Sequence, residues 1–232
     1  MLKTMKWSVA ALVLLLGVER QLQAGVVYSQ ATDRNGAIAS QNDIKDPPNF
    51  GEFATSFDNF TLVSTANVTR VDWVGAYFNS TPALIAGFTL KFYDDAMGSP
   101  NFMSPIGSYT IPGTAGETSL GIDNSGSPLF SYYADLMSPF LAVGGTTYWL
   151  SIVADLQFPP QWGWGTATGG DGAAYQIFFG NGGGIETDLA FSLSNSDASV
   201  VPEPGSFALA SLGAIGLVAG VIRRRRQPKA AA

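Results

Sequence analysis

The chain has no cysteine and no histidine. Those two absences exclude a disulfide framework, a thiol nucleophile, a Ser-His-Asp triad, zinc held by imidazole or thiolate, and a histidine general base. Basic residues are scarce in the interior. Eight of the twelve lie near the ends, at Lys3, Lys6, Arg20, Arg223, Arg224, Arg225, Arg226 and Lys229, which leaves Arg34, Lys45, Arg70 and Lys91 between. Sixteen acids face those four, so the interior carries about −12 although the whole chain carries −6. Such a charge argues against nucleic acid as a partner and suits solubility, divalent cations or cationic surfaces.

Apolar material, by contrast, is plentiful. Of 232 residues, 46% are hydrophobic and 12% aromatic, enough for a real core in one domain. Lys3 and Lys6 precede an uncharged run of twelve residues at 7–18, after which Glu19, Arg20 and Gln21 lead to Gln23-Ala24-Gly25. This is the pattern of a cleavable signal peptide over 1–24, with the cut after Ala24. Leu22, two residues before that point, is larger than the small residue usual there. As a helix the run would rise only about 18 Å, short of a hydrocarbon core of about 30 Å.

Near the other end, Pro202-Glu203-Pro204 is followed by eighteen uncharged residues at 205–222 and then by Arg223, Arg224, Arg225 and Arg226. At 1.5 Å per residue that run reaches about 27 Å, long enough to span a bilayer, and the arginines would stay on the cytoplasmic side. The body before it then lies outside the cytoplasm. The tail resembles the PEP-CTERM sorting signal of Gram-negative bacteria, in which a Pro-Glu-Pro motif, a transmembrane helix and a basic terminus follow in this order. The resemblance implies an inner-membrane-anchored precursor, processing by an exosortase near Pro202, Glu203 and Pro204, and transfer to the cell surface or its exopolysaccharide matrix. These residues would be recognised by the processing enzyme and would do no chemistry themselves.

Between the ends, alternation of period two recurs. Phe88, Leu90 and Phe92 fall on one face of a strand with Thr89, Lys91 and Tyr93 on the other, and 71–78, 148–153 and 189–193 repeat the design. Further strands are expected at 26–30, 57–63, 108–111 and 174–179. The one helical candidate, 133–137, is short, and the glycine-rich stretch 163–184 reads as loops flanking one strand. The expected architecture is all-β: an antiparallel β-sandwich of jelly-roll type over 25–194, a polar tether at 195–201 and the sorting signal at 202–226. Blocks such as 88–95, 147–152, Trp162-Gly163-Trp164 and 188–193 are similar to those of exported bacterial β-sandwich domains that carry this tail.

Two candidate sites stand out. Trp162 and Trp164, beside Pro159-Pro160 and with Trp149 nearby, could offer flat aromatic faces for stacking sugar rings, against the alternative that they close the core. Asp33, Asn35, Asp43 and Asp46 offer oxygen donors for a structural calcium ion, against the alternative of Asx turns. No EF-hand pattern is present. A glycosidase would need two carboxylates facing across a cleft, and nothing in the spacing pairs any two. The expectation is therefore a non-enzymatic, exported envelope or matrix protein of a biofilm or floc that associates with exopolysaccharide. The alternatives are a secreted carbohydrate-active enzyme using an Asp/Glu pair and a purely structural matrix protein without a specific ligand.

Overall fold

The computed structural model describes residues 25–45, 50–78 and 81–195. The strands, in chain order, are β1 (Gly25–Ala39), β2 (Gln41–Asp43), β3 (Gly51–Thr61), β4 (Ala66–Phe78), β5 (Gly87–Asp95), β6 (Pro100–Pro112) and β7 (Thr118–Ile122). They continue with β8 (Pro128–Ala142), β9 (Thr147–Leu156), β10 (Gln161–Thr168), β11 (Ala174–Phe178), β12 (Asn181–Ile185), β13 (Asp188–Leu189) and β14 (Phe191–Asn195). No helix occurs among the described residues, and none there could cross a membrane. The span expected at 205–222, the signal peptide with Ala24, and the sorting residues Pro202, Glu203, Pro204 and Arg223 to Arg226 lie outside the described residues.

The strands form two seven-stranded sheets, ordered β13-β10-β1-β14-β4-β8-β7 and β12-β11-β3-β2-β9-β5-β6. Both use the same device. In the first sheet β14 and β10 lie end to end between β1 and β4: β14 pairs with 25–30 and 70–73, and β10 with 31–39 and 75–78. In the second, β3 and β9 pair over 57–61 and then part, and β2 fills the gap, running parallel to β9. Every other described pairing is antiparallel.

Alternation explains which faces meet. Trp73 and Tyr77 of β4, Tyr132 of β8 and Phe88, Leu90 and Phe92 of β5 are all at most 2% exposed and share one core. Trp73 lies edge-on to Phe88 at 5.0 Å, and Phe92 stacks on Phe140 at 4.1 Å, so aromatic pairs join the two sheets. The chain passes between sheets at Ser40. Its hydroxyl donates to Ile152 O (2.6 Å) and accepts from Ser56 N (3.1 Å), while its own N–H reaches Trp162 O (3.2 Å). Gln41, equally buried, accepts from Trp162 N at 2.7 Å. A crossing strand would otherwise bury unpaired backbone groups, and these side chains meet that need.

Two local expectations are corrected. Residues 133–137 are strand, not helix: Tyr132, Ala134 and Leu136 are buried while Tyr133, Asp135 and Met137 are exposed, a period of two. The glycine run is strand as well, for β12 forms a hairpin with β11 in which Tyr175 Oη would lie 2.5 Å from a Cβ at Gly182. Only glycine leaves room for that tyrosine.

Candidate functional site: a rimmed trough on the first sheet

On β4 the inward residues are Val71, Trp73, Gly75 and Tyr77, which turns Arg70, Asp72 and Val74 outward. The same alternation turns out Ser29 and Ala31 of β1, Ser192 of β14 and Ser131 and Tyr133 of β8. With Thr118 of β7 these line a cavity of about 350 Å³ on the sheet's outer face.

A rim encloses it. The register of β1 against β10 jumps between Thr32 and Ala37, and the extra residues form an arch in which Arg34 adopts φ 60°. Asp33 braces the arch, accepting from Asn35 N (2.9 Å) and Thr166 Oγ1 (2.6 Å). Arg34 Nη2 donates to the carbonyls of Leu120 (2.5 Å) and Ile122 (3.2 Å), and Asn124 donates through Nδ2 to Asn35 Oδ1 and through N to Arg34 O, both 2.7 Å. β14, β4 and β8 separate β1 from β7 in the sheet, so this bridge closes a rim over their outer face.

The floor carries a fixed ion pair. Arg70 grips Asp72 through Nε and Nη2 at 2.7–3.1 Å, approaches Asp135 at 3.7 Å and lies 4.1 Å from the centroid of the Tyr133 ring. A Cβ at Gly116 would stand 2.8 Å from Tyr133 Cδ1, so the ring is held between glycine and guanidinium. The hydrogen bond to Asp72 raises the Arg70 pKa further, with the Asp72 and Asp135 charges adding to it against partial burial. The pair presents donors and acceptors in a preset geometry, in a lining that includes the hydroxyl residues Ser29, Thr118, Ser131 and Ser192.

Residues 53–177 match the family described as a domain of unknown function, DUF7901. The chain belongs to the DUF7901 family. Residues 200–226 match the PEP-CTERM protein-sorting motif, which makes the chain an exported, membrane-anchored precursor sorted to the cell surface by an exosortase. No curated protein matches its sequence.

In this DUF7901 body the tryptophans expected to stack on sugar do not face solvent. Trp162 and Trp164 are fully buried, because alternation along β10 points both inward. Trp162 packs on Phe88 and Tyr132 and donates from Nε1 to Tyr132 Oη at 3.2 Å, while Trp164 donates to Ala190 O at 2.9 Å. Trp149, 3% exposed, clusters with Phe57 and Tyr93 and donates to Asp95 Oδ1 at 2.8 Å. The sugar-stacking expectation is corrected: closing the core is what occupies the two β10 indoles.

The residues expected to hold calcium divide between the two sheets. Asp33 and Asn35 belong to the arch of the first sheet, whereas Asp43 sits in β2 of the second and Asp46 lies outside the described residues. Asp43 binds the N–H groups of Lys45, Phe50 and Phe158 at 3.0–3.1 Å. Its burial pushes the carboxyl pKa up, but those donors outweigh it and hold the value below the usual carboxylate range. Among the described residues no group of three or more acidic side chains could hold a metal ion.

A second polar centre is buried between the sheets. Asp58 accepts from Asn59 N (2.7 Å) and Leu189 N (2.5 Å), and Gln30 is oriented to donate to Asp58 and to Leu189 O while accepting from Tyr28 Oη at 2.6 Å. Burial pushes the Asp58 carboxyl up to about 8 against those backbone donors, and the nearby charges of Asp188 and Asp171 add to it. Burial likewise lifts Tyr28 to about 12. Asp188 holds the adjoining loop through Gly170 N and Gly172 N. This centre is enclosed and fastens β1, β3 and β13 together.

The trough residues went unnoticed in the sequence because they are spread from Ser29 to Ser192. One signal was there: Arg70 and Asp72, two apart on a strand, share a face, and Arg70 is one of only four interior bases.

Proposed function

We propose that the processed protein is a non-enzymatic module of the cell surface or extracellular matrix, and that its trough associates with exopolysaccharide of a biofilm or floc. One observation carries this reading: the rimmed, hydroxyl-lined floor with its preset Arg70–Asp72 pair. Sugar hydroxyls both donate and accept, and a site offering both in fixed positions loses little ordering entropy on binding. The exported form would run from about Gly25, with a jelly-roll-like sandwich that extends through Asn195 at the end of β14, a tether up to 201 and 205–222 as the transient inner-membrane anchor. The two layers sharing one core, with the crossing at Ser40, support that class.

Contact without turnover is supported by the disposition of the acids. A glycosidase needs one carboxyl placed to deliver a proton while a second faces it across the cleft. Asp72 and Asp135 are both directed at the same guanidinium.

The test is binding of the exported body to the producing cell's own exopolysaccharide. Saturable binding is expected, abolished by Ser29→Trp, which fills the trough from an exposed position, and weakened at least about tenfold by Arg70→Ala, the equivalent of about 1.4 kcal/mol. Binding unchanged in both variants would remove the trough from the account, and release of reducing ends would replace the module with an enzyme.

A further inference from the structure

A sheet edge exposes a row of unpaired N–H and C=O groups, which proteins usually blunt. Three of the four edges here are blunted. β6 carries Pro100, Pro105 and Pro112 and is bulged against β5. β13 is only two residues long. β7 is bulged, and Arg34 occupies the carbonyls of Leu120 and Ile122.

β12 has none of these devices. Its five residues, Asn181-Gly182-Gly183-Gly184-Ile185, contain no proline and no charge, and they pair with β11 in unbroken register. Among the described residues no strand pairs with its outer side. Beside the β11–β12 turn lies a cluster of phenylalanines, Phe50, Phe53, Phe158, Phe178 and Phe179, with ring centroids 5.0–6.1 Å apart. Three of them are well exposed, Phe50 at 57%, Phe178 at 41% and Phe179 at 53%.

We propose that β12 is a self-docking edge, on which β12 of a second copy adds antiparallel to extend the second sheet across two molecules. The occupant follows from charge and shape. A body of about −12 repels its own kind over most of its surface, but β11 and β12 contain no ionisable group except Tyr175, so two copies meet here without direct like-charge opposition. The three central glycines present no side chain for a mate to clash with. The phenylalanines add apolar area beside the new ladder. A five-residue edge is short against the roughly 1,200–2,000 Å² of a stable interface, so the pairing suits a crowded surface, where many weak contacts act together.

The absence of native cysteine gives a clean test. Single cysteines are placed in the full-length protein in producing cells at Asn181, Gly183, Gly184 and Ile185, with Thr118→Cys on β7 as control, and cells are treated with a mild oxidant. A Cβ at Gly183 meets nothing within 4 Å and one at Gly184 only Ala174 O at 3.9 Å, so these changes do not strain the fold. Disulfide-linked dimers are expected from at least one β12 position, the one nearest the two-fold axis of the pair, and not from Thr118→Cys. No dimer from any β12 position, or equal cross-linking from β7, would overturn the proposal. Thiols at β12 that neither cross-link nor accept a maleimide would mean that another partner or the protein's own tail covers the edge, which overturns it equally.

Discussion

Gly75→Ala tests how the core is filled. Gly75 faces Trp162 across neighbouring strands, and an added Cβ would collide with Trp162 Cζ2 and stand 2.6 Å from Cε2 and 2.8 Å from Nε1. Carbon atoms pack at about 3.5–4.0 Å, so the indole would have to move by roughly 1 Å or more. It has little freedom to do so. Trp162 is fully buried, wedged against Phe88 and Tyr132, and its Nε1–H begins a chain through Tyr132 Oη to Glu117 Oε2, which also accepts from Tyr77 at 2.7 Å. Overpacking a rigid core costs about 1–3 kcal/mol, and this site belongs at the upper end. At about 2–4 °C per kcal/mol for a body of this size, the melting temperature should fall by roughly 6–12 °C. The assay is thermal unfolding followed by near-ultraviolet circular dichroism, with Gly183→Ala as an open-space comparison staying within about 0.5 kcal/mol. Combining Gly75→Ala with Trp162→Phe should cost less than the sum of the two single changes, since the smaller ring yields the space. A Gly75→Ala protein that melts with the parent, or strict additivity in the pair, would refute this packing.

Three other outcomes follow from the buried polar groups. Asp58 has a folded-state pKa of about 8, above the ordinary carboxyl value of about 3.9. The folded state therefore binds the extra proton between about pH 4 and 8, so this group makes stability fall as pH rises through that window, by up to about 1.4 kcal/mol per unit. Urea titrations from pH 4 to 8 should show the slope, and Asp58→Asn should flatten it; an unchanged slope would remove Asp58 as its source. Asp43→Ala should cost about 2–3 kcal/mol by orphaning the N–H groups of Phe50 and Phe158, read as a lower urea midpoint at constant m-value. A calcium chelator should leave the melting temperature unchanged, and a drop of several degrees would reinstate a bound cation.

Strand identity was legible wherever large apolar residues alternated with polar ones, as in β5, where Phe88, Leu90 and Phe92 face inward and Lys91 pairs loosely with Glu52 outside. It failed where glycine hid the alternation. In Trp162-Gly163-Trp164 the glycine left loop and strand both open, but it is there because Phe78 Cζ and Ile38 O would lie 2.5 and 2.8 Å from a Cβ at 163. Close approach of neighbours, a tertiary fact, dictates that residue. Tyr133 to Met137 misled for a related reason, since Tyr133 and Met137 face water although both are largely apolar. The trough needs five strands in register and an arch that joins β1 to β7, and no local spacing encodes that closure. The sorting motif at 200–226, by contrast, is recognised as linear sequence and was legible as such.

The placement of β14 bears on what happens when the body is pulled from its C-terminal side. Tension applied from that side reaches the described strands at Asn195, the end of a strand gripped on one side by β1 and on the other by β4. Had the last strand been at an edge, one ladder would carry the load and could peel bond by bond. Here two ladders share it, and Gly25, where the body begins, is itself paired with Asn195. The two strand ends at Gly25 and Asn195 therefore clamp each other, and the strand that takes the load is the one that contributes Ser192 to the trough floor.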